Sequence, residues 1–117
     1  MTPADDFFHY EIEYSQIPRS EAPGPRGDRV TTIRCHGRLV ARHRDQIEAI
    51  FQRTAFHGHI YFDLNDVSYM DSAGLGMLVR VKFSALKDEG VSVKFVNIGP
   101  RILQMLRITN LLEWFQS

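Results

Sequence analysis

Residues 65 to 76 read Asn-Asp-Val-Ser-Tyr-Met-Asp-Ser-Ala-Gly-Leu-Gly, so that Asp71 and Ser72 are followed directly by Ala73 and Gly74, which offer almost no side-chain cover. A serine in such a setting can cap a helix, accept a phosphoryl group, or act as a nucleophile if a base activates it. The last use lacks its surroundings: Ser72 follows Met70-Asp71 rather than a Gly-x-Ser-x-Gly elbow, and no motif supplies a base. The first two uses are compatible with each other. Either Asp71 or Ser72 suits the N-cap of a helix that starts here. In both cases the Ser72 hydroxyl stands beside unpaired backbone N–H groups at the positive end of the helix. A phosphate at that place is tolerated by its own domain and adds about −1.5 to −2 charge beside Asp71. A partner docked over the helix start meets that charge, so the modification can abolish binding and spare the fold.

Other chemistry-bearing residues give weaker signals. His57-Gly-His59 lacks further metal ligands, and no metal or other cofactor is expected. Asp63, Asp66 and Asp71 suggest a phospho-acceptor aspartate, yet the segment Cys35-His-Gly-Arg-Leu lacks the acidic pair such a site needs. Gly74-Leu-Gly76 matches neither spaced glycine pattern of the nucleotide-binding loops. Arg38, Arg42, His43 and Arg44 make a basic stretch that reads either as a solvated helix start or as a contact for a phosphate on Ser72 or for an acidic partner.

The elements that position these residues follow from periodicity. Residues 7 to 15 alternate Phe8, Tyr10, Ile12 and Tyr14 with His9, Glu11 and Glu13, which predicts a half-buried strand. Residues 16 to 28 hold three prolines and two glycines and read as a long loop. Val30 to His36 predict a second strand, antiparallel to the first, with Gly37 turning the chain toward Leu39. Residues 42 to 56 place Ile47, Ile50 and Phe51 on one stripe of an amphipathic helix that ends near Gly58. Residues 59 to 64 predict a strand, Asn65-Asp66 a turn, residues 72 to 87 a helix and residues 91 to 98 a strand. Pro100 starts a last helix, for which Asn110 is the left-handed cap, and a short tail follows.

On the helix after Ser72, the apolar stripe is Leu75, Leu78, Val79 and Leu86. Lys82 falls within this stripe, with its stem packed and its amine reaching water. Met77 and Val81 fall on the other, exposed face, near Arg80 and Ser84, where they read as scattered surface apolarity or as a docking patch. The order β-β-α-β-α-β-α describes an α/β fold with a mixed sheet and right-handed crossovers.

Composition narrows the function. The chain has 117 residues, 14 basic and 14 acidic, for a net charge of zero. That balance argues against direct nucleic-acid binding or a basic membrane surface. The apolar runs are too short for a transmembrane helix, and the start lacks the features of a signal peptide. The lone Cys35 fits a reducing cytoplasm. A small binding or switch module is expected rather than an enzyme.

Tyr69-Met-Asp-Ser-Ala-Gly-Leu-Gly-Met-Leu resembles the signature of STAS domains, the fold of the bacterial anti-sigma factor antagonists. The resemblance extends over residues 30 to 115. It takes in Gly37-Arg-Leu, the strand Ile60-Tyr-Phe-Asp-Leu, the strand after Gly90, and the ending Ile102-Leu-Gln-Met-Leu-Arg-Ile-Thr-Asn-Leu-Leu. It implies one STAS-like domain over residues 1 to 117, with an amino-terminal strand and Pro/Gly loop over 1 to 28 and a core over 29 to 117. It further implies a non-catalytic, cytoplasmic protein that binds an anti-sigma factor serine kinase, is phosphorylated by it at Ser72 and is reset by a phosphatase. Asp71, Ser72, Ala73, Gly74, Met77 and Val81 would form the partner surface of a monomer or weak homodimer. Three features depart from the family pattern: Val40 stands where an acidic residue is common, Ala73 replaces a frequent second hydroxyl, and the amino-terminal segment is long. These departures suit an alternative, a non-switching STAS scaffold or a transporter-accessory interaction module.

Overall fold

The computed structural model describes residues 8–17, 29–53, 58–85, 87 and 90–116. The greater part of the 16 to 28 loop, His57 and Leu86 lie outside the described residues, as does the side chain of Phe51. Strand β1, His9–Gln16, pairs antiparallel with β2, Arg29–Leu39, so that His9 faces His36 and Ser15 faces Val30. A short 3-10 turn, Ala41–His43, leads into α1, Arg44–Arg53. Strand β3, Gly58–Met70, lies parallel to β2, and after α2, Ser72–Ala85, strand β4, Val91–Val96, lies parallel to β3. The sheet order is β1-β2-β3-β4. Two parallel steps in succession require two crossovers, and α1 and α2 supply them.

The period-two pattern of β2, of β4 and of the first half of β3 sends their apolar residues to one face. Ile33, Ile60, Phe62 and Phe95 join Ile47 and Ile50 of α1 and Leu75 and Leu78 of α2 in one buried cluster. The other face carries Glu11, Glu13, Arg34, His36, Asp63 and Lys94, with Arg34 paired to Glu13 at 2.6 Å. Helix α3, Pro100–Ile108, adds Ile102 and Leu106 to the core. It closes as expected, with Asn110 at φ 59°. The Leu111 N–H then donates to the Leu106 carbonyl at 2.8 Å and the Asn110 N–H to Arg107 at 3.2 Å, the paired bonds of a Schellman ending.

Three boundaries differ from the sequence expectation. Asn65-Asp66 is not a turn, because β3 runs on to Met70. Between the pairs Arg34–Asp63 and His36–Asp66, and again between Gly37–Val67 and Arg38–Tyr69, β3 advances one residue more than β2. Turn-forming residues therefore occupy bulges within a continuing strand. Gly37, at φ 91°, is part of the same irregularity and not a turn after β2. The tail is also a helix, α4, Leu112–Gln116, too short to show a period. Its Phe115 is buried against Phe95 with ring centroids 4.7 Å apart, and Phe95 lies 5.6 Å from Phe62, both within the favourable range for aromatic pairs.

Candidate functional site

The two extended ends of β2 and β3 deliver the site. The Asp71 N–H donates to the Leu39 carbonyl at 3.2 Å, which carries the pairing of the two strands one step past Met70. Asp71 is then the N-cap of α2. Its carbonyl accepts from the Leu75 N–H at 3.0 Å, and its Oδ1 accepts from the Gly74 N–H at 2.8 Å. The second carboxylate oxygen accepts from the Ala41 N–H at 3.2 Å, so one side chain ties the turn after β2 to the start of α2. Of the two cap candidates, Asp71 takes the role, and Ser72 is the first helical residue.

Ser72 is exposed there, with the half-buried Ala73 next to it. Gly74 is buried so close to the end of β2 that a Cβ at this position would lie 2.0 Å from the Leu39 carbonyl oxygen. Gly76 is exposed and faces open space. Small side chains therefore serve two ends: Gly74 lets α2 seat against the end of β2, and Gly76 leaves the surface beside Ser72 low.

Met77 corrects the sequence reading: it is 4% exposed and belongs to the core, while Val81 is half-buried. The face they share is turned toward α1 rather than to solvent. Arg80 stands 3.7 Å from Glu48 of α1, and Glu48, Met77, Arg80, Val81 and Ser84 line a pocket of about 160 Å³ between the helices. Periodicity gives a helix one core-facing stripe, but α2 packs on both the sheet and a neighbouring helix, so its buried arc is wider. Lys82 is a second correction. Its amine does not reach water; it is buried and donates to the Phe115 carbonyl at 3.0 Å, with the Trp114 ring 5.5 Å away. Burial, and then the charge of Lys94, hold its pKa below the ordinary amine value.

The basic residues divide. Arg38 is half-buried over the Tyr69 ring at 4.8 Å. Arg42 is exposed within the short turn whose Ala41 is bonded to Asp71, and Arg44 is exposed at the start of α1 directly after it. The structure thus joins the basic turn to the cap of the Ser72 helix through Asp71, a link between positions thirty residues apart that no spacing rule contains. Sequence reasoning also missed His36, which sits between two carboxylates on the uncovered sheet face. Among the described residues no group of histidine, cysteine and carboxylate side chains could hold a metal ion, and no helix is long and apolar enough to cross a membrane.

The family model of the STAS domain matches residues 23–117. The anti-sigma-B factor antagonist of Bacillus subtilis is 46% identical over 48 residues, which is 41% of this chain and 43% of that protein, so the matched stretch spans less than half of this relative. A STAS-domain containing protein of Pseudomonas aeruginosa is 31% identical over 87 residues, 73% of this chain and 84% of the relative. The fold is similar to that of an anti-sigma factor antagonist from Mycobacterium paratuberculosis, with a TM-score of 0.63 at 18% identity over 98% of this chain and 87% of the other. It is also similar to the unphosphorylated anti-sigma factor antagonist SpoIIAA, with a TM-score of 0.57 at 20% identity over 89% of this chain and 84% of the other. A carboxylate-capped helix led by an exposed serine, carried on a sheet of this order and matched over most of the chain, makes this protein a member of the STAS domain family.

Proposed function

We propose that the chain is an anti-sigma factor antagonist of the cytoplasm, without catalytic activity of its own, that binds a kinase-type anti-sigma factor over the start of α2 and is released when Ser72 is phosphorylated. The observation that carries this reading is the exposure of Ser72 at the first position of a helix whose cap is already filled by Asp71. With the cap filled by another residue, the hydroxyl is spared for chemistry. A phosphoryl group on it points away from the core and lies near the N–H groups of the first turn, so it costs the fold little. The same group puts a dianion on the low surface formed by Ala73 and Gly76, where an approaching protein must desolvate it. Arg42 and Arg44 form the basic flank of this surface, and the pocket between Glu48 and Arg80 forms its far end. Met77 contributes as the floor of that pocket, not as an exposed contact.

The test is phosphosite mass spectrometry after incubation with a serine-kinase anti-sigma factor and ATP, paired with calorimetric binding. Ser72 should be the modified residue. Ser72→Ala should bind constitutively and melt within about 2 °C of the wild type. Phosphorylated protein and Ser72→Asp should bind at least about tenfold more weakly at an unchanged fold. Equal affinity of the phosphorylated and unmodified forms would refute the switch and favour the non-switching scaffold reading.

A further inference from the structure

On the sheet face that the helices leave open, the His36 ring is held at both nitrogens. Its Nδ1 lies 2.6 Å from Asp66 Oδ2 on β3, and its Nε2 lies 2.6 Å from Glu11 Oε1 on β1. The ring of His9, from β1, stacks on it with centroids 4.5 Å apart and planes within 10°. We propose that His36 is a pH-sensitive clasp, which as an imidazolium ties the edge strand β1 to β3 across β2 and on losing its proton loosens the hold on β1.

The argument rests on donor arithmetic. An ionised carboxylate only accepts hydrogen bonds, whereas a neutral imidazole has one donor and one acceptor nitrogen. Two carboxylates at 2.6 Å can both be satisfied only by the doubly protonated ring. Neutral His36 must turn a lone pair toward one of them. The partner lost is Glu11, because β1 is the edge strand, bonded in the sheet to β2 alone, whereas Asp66 belongs to a central strand whose chain runs on from its pairing with β4 over Gly58–Asp63. The charged and titratable groups around the ring are Glu11 and His9 of β1, Asp66 of β3, and Arg34 and Arg38 of its own strand. Arg34 is occupied by Glu13 at 2.6 Å and stands 4.0 Å from Asp63, and Arg38 lies over the Tyr69 ring at 4.8 Å. The hydrogen bond to Asp66 first, and then that to Glu11, raise the His36 pKa against an opposing effect of burial.

The sign follows from linkage. A raised value in the folded state means that the stabilisation is complete below the ordinary imidazole value of about 6.5 and is lost as pH rises through the raised value. The experiment is nitrogen NMR of the imidazole rings from pH 5 to 9, with amide exchange of β1 measured at the same pH values and corrected for intrinsic exchange. The expected result is a His36 ring protonated at both nitrogens on the acid side, with a midpoint above about 6.5. Protection of the β1 amides should fall about tenfold per unit of that displacement as pH passes the midpoint. His36→Gln should show no such step. Glu11→Gln, at an exposed side chain, should lower the midpoint and flatten the step, and it decides the matter if His36→Gln does not fold. A midpoint at or below the ordinary value, or a β1 step that is absent or survives in these variants, would overturn the clasp. The clasp is independent of the Ser72 switch, since neither readout involves a partner.

Discussion

A Cβ built on Gly74 would meet the Leu39 carbonyl oxygen at 2.0 Å and its carbon at 2.8 Å, both backbone atoms that cannot rotate away, whereas one built on Gly76 meets nothing within 4 Å. Two glycines a single residue apart in one helix therefore have opposite expected responses to the same substitution. Gly74→Ala should force α2 off the end of β2, costing about 1–3 kcal/mol and lowering the melting temperature by roughly 5–15 °C. Gly76→Ala should gain about 0.5–1 kcal/mol from helix propensity and raise it by a few degrees. Circular-dichroism melts of the two variants decide this, and a Gly74→Ala protein as stable as the wild type would exclude the close approach. At this scale the sequence was informative about residue type. Asp71, Ser72 and Gly74 stood out because a carboxylate, a hydroxyl and absent side chains at a helix start have few uses. It was uninformative about partners: Met77 looked exposed because one-dimensional spacing cannot say that α1 lies against that arc of α2.

Helix α4 is held by a contact that its own five residues could not provide. Isolated helices of this length do not persist in water, so Phe115 burial and the Lys82 amine on the Phe115 carbonyl must fix it. Lys82→Ala should remove that donor and the packed stem together, costing about 1–3 kcal/mol. Trp114 stands beside the amine, so its emission should shift to the red as α4 loosens. Unchanged emission and stability would show that α4 docks without Lys82. The elements with sustained periodicity, α1, α2 and the apolar parts of β2, β3 and β4, were legible in the sequence, as were the Pro100 start and the Asn110 end of α3. The bulged half of β3 was not. Asn65 and Asp66 favour turns on local grounds, and only pairing with His36 and its neighbours, thirty residues distant, keeps them in a strand.

Taken whole, the molecule has one apolar and one polar side to its sheet, and Cys35 lies on the apolar side, 3% exposed. Burial, and then the charge of Asp63, push its thiol up to about 12, which leaves almost no thiolate at neutral pH. Cys35 should therefore resist a thiol reagent at pH 8 over a period in which the urea-unfolded chain reacts completely. Its labelling rate should rise in Gly74→Ala in step with the loss of global stability. Fast labelling of the wild type would mean that the sheet opens locally at β2. The mixed, two-sided character of the sheet follows from alternation and the strand-helix-strand order, which the sequence contains, whereas the spatial order β1-β2-β3-β4 is seen only in the fold. The pairing that brings Ala41 to Asp71, or Glu11 and Asp66 to His36, depends on register, which alternation leaves open by steps of two.

Helix α2 is fourteen residues long, from Ser72 to Ala85, three positions past Lys82, so it is a rod of about 21 Å with the hydroxyl at one tip and the lone indole of the chain near the other. A visitor that tilts or draws the rod lengthwise disturbs the cation under that indole without touching it. If the partner docks over Ser72 as proposed, the chain carries its own optical gauge at the far end of the rod.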